Sequence, residues 1–192
     1  MILSHKYKFV CLNPPKTGSG FRENTLKQYA DLSIISEKSL NLRHWNSSEA
    51  SNYIKSINKN PNDYYWFTFV RNPWERMISW VNMKKNKFLD NGVSVDIDIE
   101  DFISRTLKQN SFKNYIYRDG QLLDFVGSLE NITEDLRFIL NKLNIDADIG
   151  FREDKYIKNF KEEIRSQLSQ KTIDLILCAE KEVIDMKNYS FK

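Results

Sequence analysis

Two groups of residues in this chain have the types and spacing to hold an anion. The first is Pro15-Lys16-Thr17-Gly18-Ser19-Gly20-Phe21, which follows the apolar run Lys8-Phe9-Val10-Cys11-Leu12 and its stop, Asn13-Pro14-Pro15. Glycines in such a turn let backbone N–H groups from Thr17 to Phe21 converge on one point, and the N-terminus of a following helix adds positive potential there. Lys16 supplies a full charge, so a phosphate or sulfate fits. The lysine precedes the glycines, the reverse of the Walker A order, and an ordinary glycine turn is the competing reading of this loop alone. The second group is Phe69-Val70-Arg71-Asn72-Pro73-Trp74-Glu75-Arg76, with Ser79 eight residues beyond Arg71. An arginine fork at a strand end and a hydroxyl on the next helix can hold a second phosphate through charge-assisted bonds. Two such sites at neighbouring strand ends suggest a nucleotide with phosphoryl groups at both ends. Where an NTPase places a magnesium-binding Asp after such a strand, this chain has Arg71, which argues against metal-assisted phosphoryl transfer.

The elements that must position these residues follow from hydrophobic periodicity. It predicts a strand over 8–12, a helix over about 21–29, and a short helix capped at Ser47 or Ser48 with Ala50, Tyr53, Ile54 and Ile57 inward. A second strand over 65–70 leads into a helix opened by Asn72-Pro73, along which Trp74, Met77, Ile78 and Val81 repeat at i, i+3, i+4, i+7. Asp98 or Glu100 opens a helix to about 106, residues 108–120 show no clear pattern, and a third strand is expected over 122–126, ending at Gly127-Ser128. The next helix carries Leu136, Ile139, Leu140 and Leu143, and a last one, about 170–187, carries Ile173, Ile176, Leu177, Val183 and Ile184. Strands alternating with helices imply an α/β fold, three-layer α/β/α with a central parallel sheet whose ligands bind at the carboxyl ends of the strands.

Composition narrows the function. The 192 residues carry 29 basic and 26 acidic side chains, a net charge of +3, too little and too dispersed to argue for nucleic acid but suited to a small polyanion. A chain this long buries about 70% of its extended surface, so one domain over 1–192 needs no staple. With two cysteines far apart and two histidines, no metal site is expected. No apolar run reaches membrane-span length and the start lacks a signal-peptide core, which leads to an expectation of a cytoplasmic protein without membrane partners.

On the loop and the arginine motif, the chain resembles PAPS-dependent sulfotransferases, the Golgi carbohydrate type (sulfotransferase family 2-like) with its soluble microbial relatives. PAPS is 3′-phosphoadenosine 5′-phosphosulfate. Pro15-Lys16-Thr17-Gly18 resembles the family's 5′-phosphosulfate loop, and Val70-Arg71-Asn72-Pro73-Trp74-Glu75-Arg76 with Ser79 resembles its 3′-phosphate motif. Leu123-Asp124-Phe125-Val126-Gly127 with Leu129-Glu130-Asn131-Ile132 is similar to a third block, and Asp185-Met186-Lys187-Asn188-Tyr189 to the usual ending. The family loop commonly reads Pro-Lys-Thr-Gly-Gly-Thr, so Ser19 and Gly20 move the hydroxyl by one residue.

The resemblance implies a P-loop-NTPase-like sulfotransferase fold and metal-independent transfer of a sulfuryl group from PAPS to an acceptor hydroxyl, carbohydrate or small metabolite. Its implied donor-binding residues are Lys16, Thr17, Gly18, Ser19, Gly20, Phe21, Arg71 and Ser79. Lys16 is the candidate for charge on the leaving oxygen. A base is also needed, and a histidine is suited to neutral pH. His44 lies where the family often carries a histidine before a short helix, with Glu49 or Glu37 as reserves and packing beside Trp45 as the competing reading. Arg76 divides between ligand contact and a structural ion pair. Lys84, Lys85 and Lys87 read as a solvated face, Trp66, Trp74 and Trp80 as core, and residues 151–155 as a loop that could close over a nucleotide. The acceptor is expected to meet residues 33–62 and 88–120. A P-loop-like nucleotide kinase and a noncatalytic nucleotide-binding module are the alternatives.

Overall fold

The structure, a computed structural model, describes residues 1–31, 44–92, 97–150 and 161–191, which cluster into two compact units. The first comprises residues 1–70 and 112–153. Its strands are β1 (Ile2–Ser4), β2 (Phe9–Leu12), β3 (Tyr65–Val70), the short β4 (Tyr117–Arg118) and β5 (Gln121–Leu122), and β6 (Phe125–Ser128). Its helices are α1 (Ser19–Leu26), α2 (Ser47–Ser56), α5 (Lys113–Ile116) and α6 (Ile132–Lys142). The second unit holds α3 (Pro73–Asp90), α4 (Ile99–Asn110), α7 (Lys161–Ser166), α8 (Gln170–Ala179) and α9 (Lys181–Lys187).

In the first unit the main sheet has the order β1-β2-β3-β6, with β2, β3 and β6 parallel. Both faces are covered, which is why the strands are buried and mostly apolar rather than alternating. Val10, Leu12 and Trp66 pack with Ala50, Ile54 and Tyr115, while Phe9, Cys11, Phe67 and Phe69 pack with Leu26, Leu136, Ile139 and Leu140. This is the expected α/β arrangement of helices about a mostly parallel sheet.

Four expectations for this unit need correction. The sheet is mixed, because the unforeseen β1 pairs antiparallel with β2, and β2 starts at Phe9 because Lys8 has φ 54 in the turn between them. The strand expected over 122–126 instead spans 125–128, since Leu122 belongs to the β4–β5 hairpin and the Asp124 carboxylate accepts the Trp66 N–H at 2.7 Å just before the strand. Gly127 therefore lies inside β6. There a Cβ would come within 2.7 Å of the Phe69 ring, so the glycine serves close packing, not a turn. Third, α2 is capped by Asn46, not by a serine: Asn46 and Glu49 form a reciprocal capping box. Finally, α1 opens two residues early at Ser19 and gives way after Leu26 to a 3₁₀ turn, 27–29.

The second unit is helical. Asn72 caps α3, accepting the N–H groups of Trp74 and Glu75 at 3.1 and 3.3 Å, and Pro73 takes the first helical position as expected. Trp74, Met77, Ile78 and Val81 then pack with Ile103, Leu107, Ile164 and Ile176. The single helix expected over 170–187 is broken at Glu180 into α8 and α9. The buried Glu180 carboxylate meets Arg76 Nη1 at 3.3 Å and accepts the Ser111 hydroxyl at 3.3 Å. Arg76 Nη2 also donates to the Asn110 carbonyl at 2.7 Å, so of its two readings the structural ion pair is the one found.

Candidate active site

The loop between β2 and α1 begins at Asn13 and carries Lys16 at φ 67 and Gly18 at φ 76. Gly18 is required twice over. Its φ is left-handed, and a Cβ would lie 2.5 Å from the Leu129 side chain and 3.3 Å from that of Ile132. The block after β6 thus buttresses the loop. Lys16 is no glycine, and holding it in the left-handed region costs on the order of 1 kcal/mol or more, which the surrounding structure must enforce. Phe21 N–H is donated to the Gly18 carbonyl at 3.2 Å, within the first turn of α1. The N–H groups of Ser19 and Gly20 open that helix, whose N-terminus has no side-chain cap, and lie at its positive end. These residues fit a phosphate or sulfate.

A test separates the two glycines. Gly20 is exposed and a Cβ there meets nothing within 4 Å. Gly20→Ala should raise stability in urea unfolding by about 0.5 kcal/mol, whereas Gly18→Ala should lower it by about 1–2 kcal/mol or more. Equal shifts would contradict this loop geometry.

Thr17 faces inward. Its hydroxyl donates to the Pro14 carbonyl at 2.7 Å and accepts from Arg22 Nη2 at 3.0 Å. Arg22, which sequence reasoning passed over, is fully buried and also reaches Asn13 Oδ1 from Nε at 3.1 Å and Nη2 at 3.0 Å. Nothing local distinguishes Arg22 from a surface arginine on the outer face of a helix.

His44 is brought to the same loop. Its Nδ1 lies 2.8 Å from the Asn13 carbonyl oxygen, and its own carbonyl accepts the Tyr115 hydroxyl at 3.0 Å. A carbonyl can only accept, so Nδ1 carries the proton, and in the neutral ring Nε2 is then the basic nitrogen. Glu49 is engaged by the capping box, accepting Asn46 N–H at 2.8 Å. Glu37 and the expected closing loop 151–155 lie outside the described residues. His5 stands at the opposite end of β2, with Nδ1 2.7 Å from the Tyr64 hydroxyl, and burial pushes its pKa down. Cys11 is not a nucleophile here, since burial pushes its thiol up to about 11.

In the second unit, Arg71 directly precedes the Asn72 cap, with Nη2 3.9 Å from Glu75 Oε2; Glu75 is also paired with Arg165. Ser79 is half-buried on α3. Of the tryptophans, Trp66 and Trp74 are buried, and Trp80 lies under the Arg76 guanidinium at 5.5 Å. Lys85 pairs with Glu163 at 3.1 Å, and Lys84 lies over Phe88. Among the described residues no helix is long and apolar enough to cross a membrane, and no group of three or more His, Cys, Asp or Glu is placed to hold a metal.

Comparison with known protein families matches residues 1–119 to the model described as the sulfotransferase family, a span that contains Lys16, His44, Arg71 and Ser79. No curated protein matches the chain, and no solved structure does.

Proposed function

Because this chain belongs to the sulfotransferase family, we propose that it transfers a sulfuryl group from PAPS to the hydroxyl of a carbohydrate or small metabolite, without metal and in the cytoplasm. The observation that carries the reading is the joining of Lys16's loop to His44 through Asn13, with Nδ1 as donor and Nε2 as the basic nitrogen. The donor supplies an activated sulfur. The acceptor oxygen forms a bond to that sulfur as the bond to the 5′-phosphate oxygen breaks, and adenosine 3′,5′-bisphosphate leaves. His44 Nε2 takes the acceptor proton. Lys16 and the first N–H groups of α1 stabilise charge on the leaving oxygen. Arg71 and Ser79 hold the 3′-phosphate, a role that rests on the motif resemblance.

Radiolabelled sulfate transfer from PAPS to an acceptor panel tests the proposal. Tight binding of magnesium-ATP alone would favour a kinase, and bisphosphate binding with no transfer would favour a noncatalytic module. His44→Ala should lower kcat by about 10²–10⁴-fold and remove its pH dependence near neutrality. Arg71→Ala should weaken bisphosphate binding in calorimetry by about 10–100-fold, the value of a lost charge-assisted contact. Unchanged values would withdraw these roles.

A further inference from the structure

We propose that Arg22 is a positioning residue that holds Lys16's loop and His44 in one arrangement, an inference that rests on the transfer reading above. The guanidinium ties together the two residues that bracket the loop. It donates twice to Asn13 Oδ1, at 3.1 and 3.0 Å, and at the far side it donates to both the carbonyl and the hydroxyl of Thr17. The Thr17 hydroxyl passes the connection back to Pro14. Lys16 lies between these anchors with its backbone in the left-handed region, a conformation that relaxes unless its neighbours over-determine it. The Phe69 ring, 4.9 Å from the guanidinium carbon, fixes the plane of the fork against the sheet.

Asn13 is the node through which this brace reaches the base. Its side chain is held by Arg22, and its main-chain carbonyl receives the His44 Nδ1–H at 2.8 Å. Rotation of Asn13 would move that carbonyl, and with it the ring and the direction of Nε2. A planar fork sets orientation as well as distance; an ammonium in its place keeps the charge and loses the orientation. Arg22 is fully buried, and in this proposal it acts through Lys16 and His44.

The experiment compares the whole protein with Arg22→Lys and Asn13→Ala, using steady-state kinetics and ¹⁵N NMR of the His44 ring without donor. In the parent the ring should show a single tautomer protonated at Nδ1. In Arg22→Lys, with native melting behaviour, kcat should fall by about 10–100-fold while donor KM changes far less, and the ring signals should move toward a tautomer mixture, as a misplacement of about 1 Å would produce. Asn13→Ala removes the bonds from Arg22 to Asn13 while keeping Arg22, its bonds to Thr17 and the Asn13 main-chain carbonyl, and carries the test of the link to His44 if Arg22→Lys does not fold. Parental kcat and a parental His44 pattern in a folded variant would overturn the brace while leaving the transfer reading intact. A parent that transfers no sulfate would remove that reading, and the NMR comparison would then decide the brace alone.

Discussion

Lys16→Ala is expected to lower kcat for sulfate transfer by about 10²–10³-fold, equivalent to about 2.7–4 kcal/mol of transition-state stabilisation. In the proposed transfer, negative charge grows on the bisphosphate oxygen as sulfur departs, and Lys16 is half-buried in a loop at the start of a helix. A cation fixed there before the reaction needs no rearrangement when the charge appears, so its loss should weigh more on the transition state than on donor binding. The kinetic signature is a fall in kcat with a smaller change in donor KM, measured against acceptor at saturation. Lys16→Arg should recover only part of the rate, because its planar fork presents charge differently from an ammonium. A folded Lys16→Ala protein that turns over like the parent would remove the residue from the mechanism.

The largest expected effect on stability lies in the second unit. Glu180→Ala should cost about 3–5 kcal/mol in urea unfolding, because it leaves the Arg76 charge buried without its carboxylate. Arg76 is 0% and Glu180 2% exposed, so water cannot take over for the missing partner. Replacing both together, as Arg76→Met with Glu180→Leu, should cost less than the single change, since no charge then remains to be desolvated. The double variant also removes the Arg76 bond to the Asn110 carbonyl and the Glu180 bond to the Ser111 hydroxyl, which limits the recovery. A single variant within about 1 kcal/mol of the parent would show that the pair contributes little.

What the chain announced and what it concealed divide along the range of the interactions involved. Gly18 could be read because a left-handed turn before a helix demands glycine wherever the chain goes afterwards. The Asn72-Pro73 start of α3 could be read for the same reason: a side-chain cap and a fixed φ act within four residues. Strand β3 announced itself through six consecutive residues dominated by aromatic and β-branched side chains. Gly127 misled, because a glycine after an apolar run looks like a turn until the Phe69 ring from the neighbouring strand is known to occupy the space of its missing side chain. Strand β1 was too short, at three residues, to carry a period of its own. It exists because Ile2 and Leu3 find Cys11 and Val10 across the hairpin.

The sequence by itself thus determined the α/β alternation, a lysine- and glycine-bearing turn between a strand and a helix, the arginine that follows β3, and the family resemblance that these short motifs carry. Each depends on backbone torsions, charge or periodicity over a few neighbouring residues. Only the tertiary structure decided that Thr17 turns inward to Arg22, that Asn13 links that arginine to His44, and that Arg76 closes on Glu180, 104 residues away. These are choices among partners distant in the chain. A buried polar group must find some partner when water is excluded, but local sequence does not say which one the fold will bring within reach.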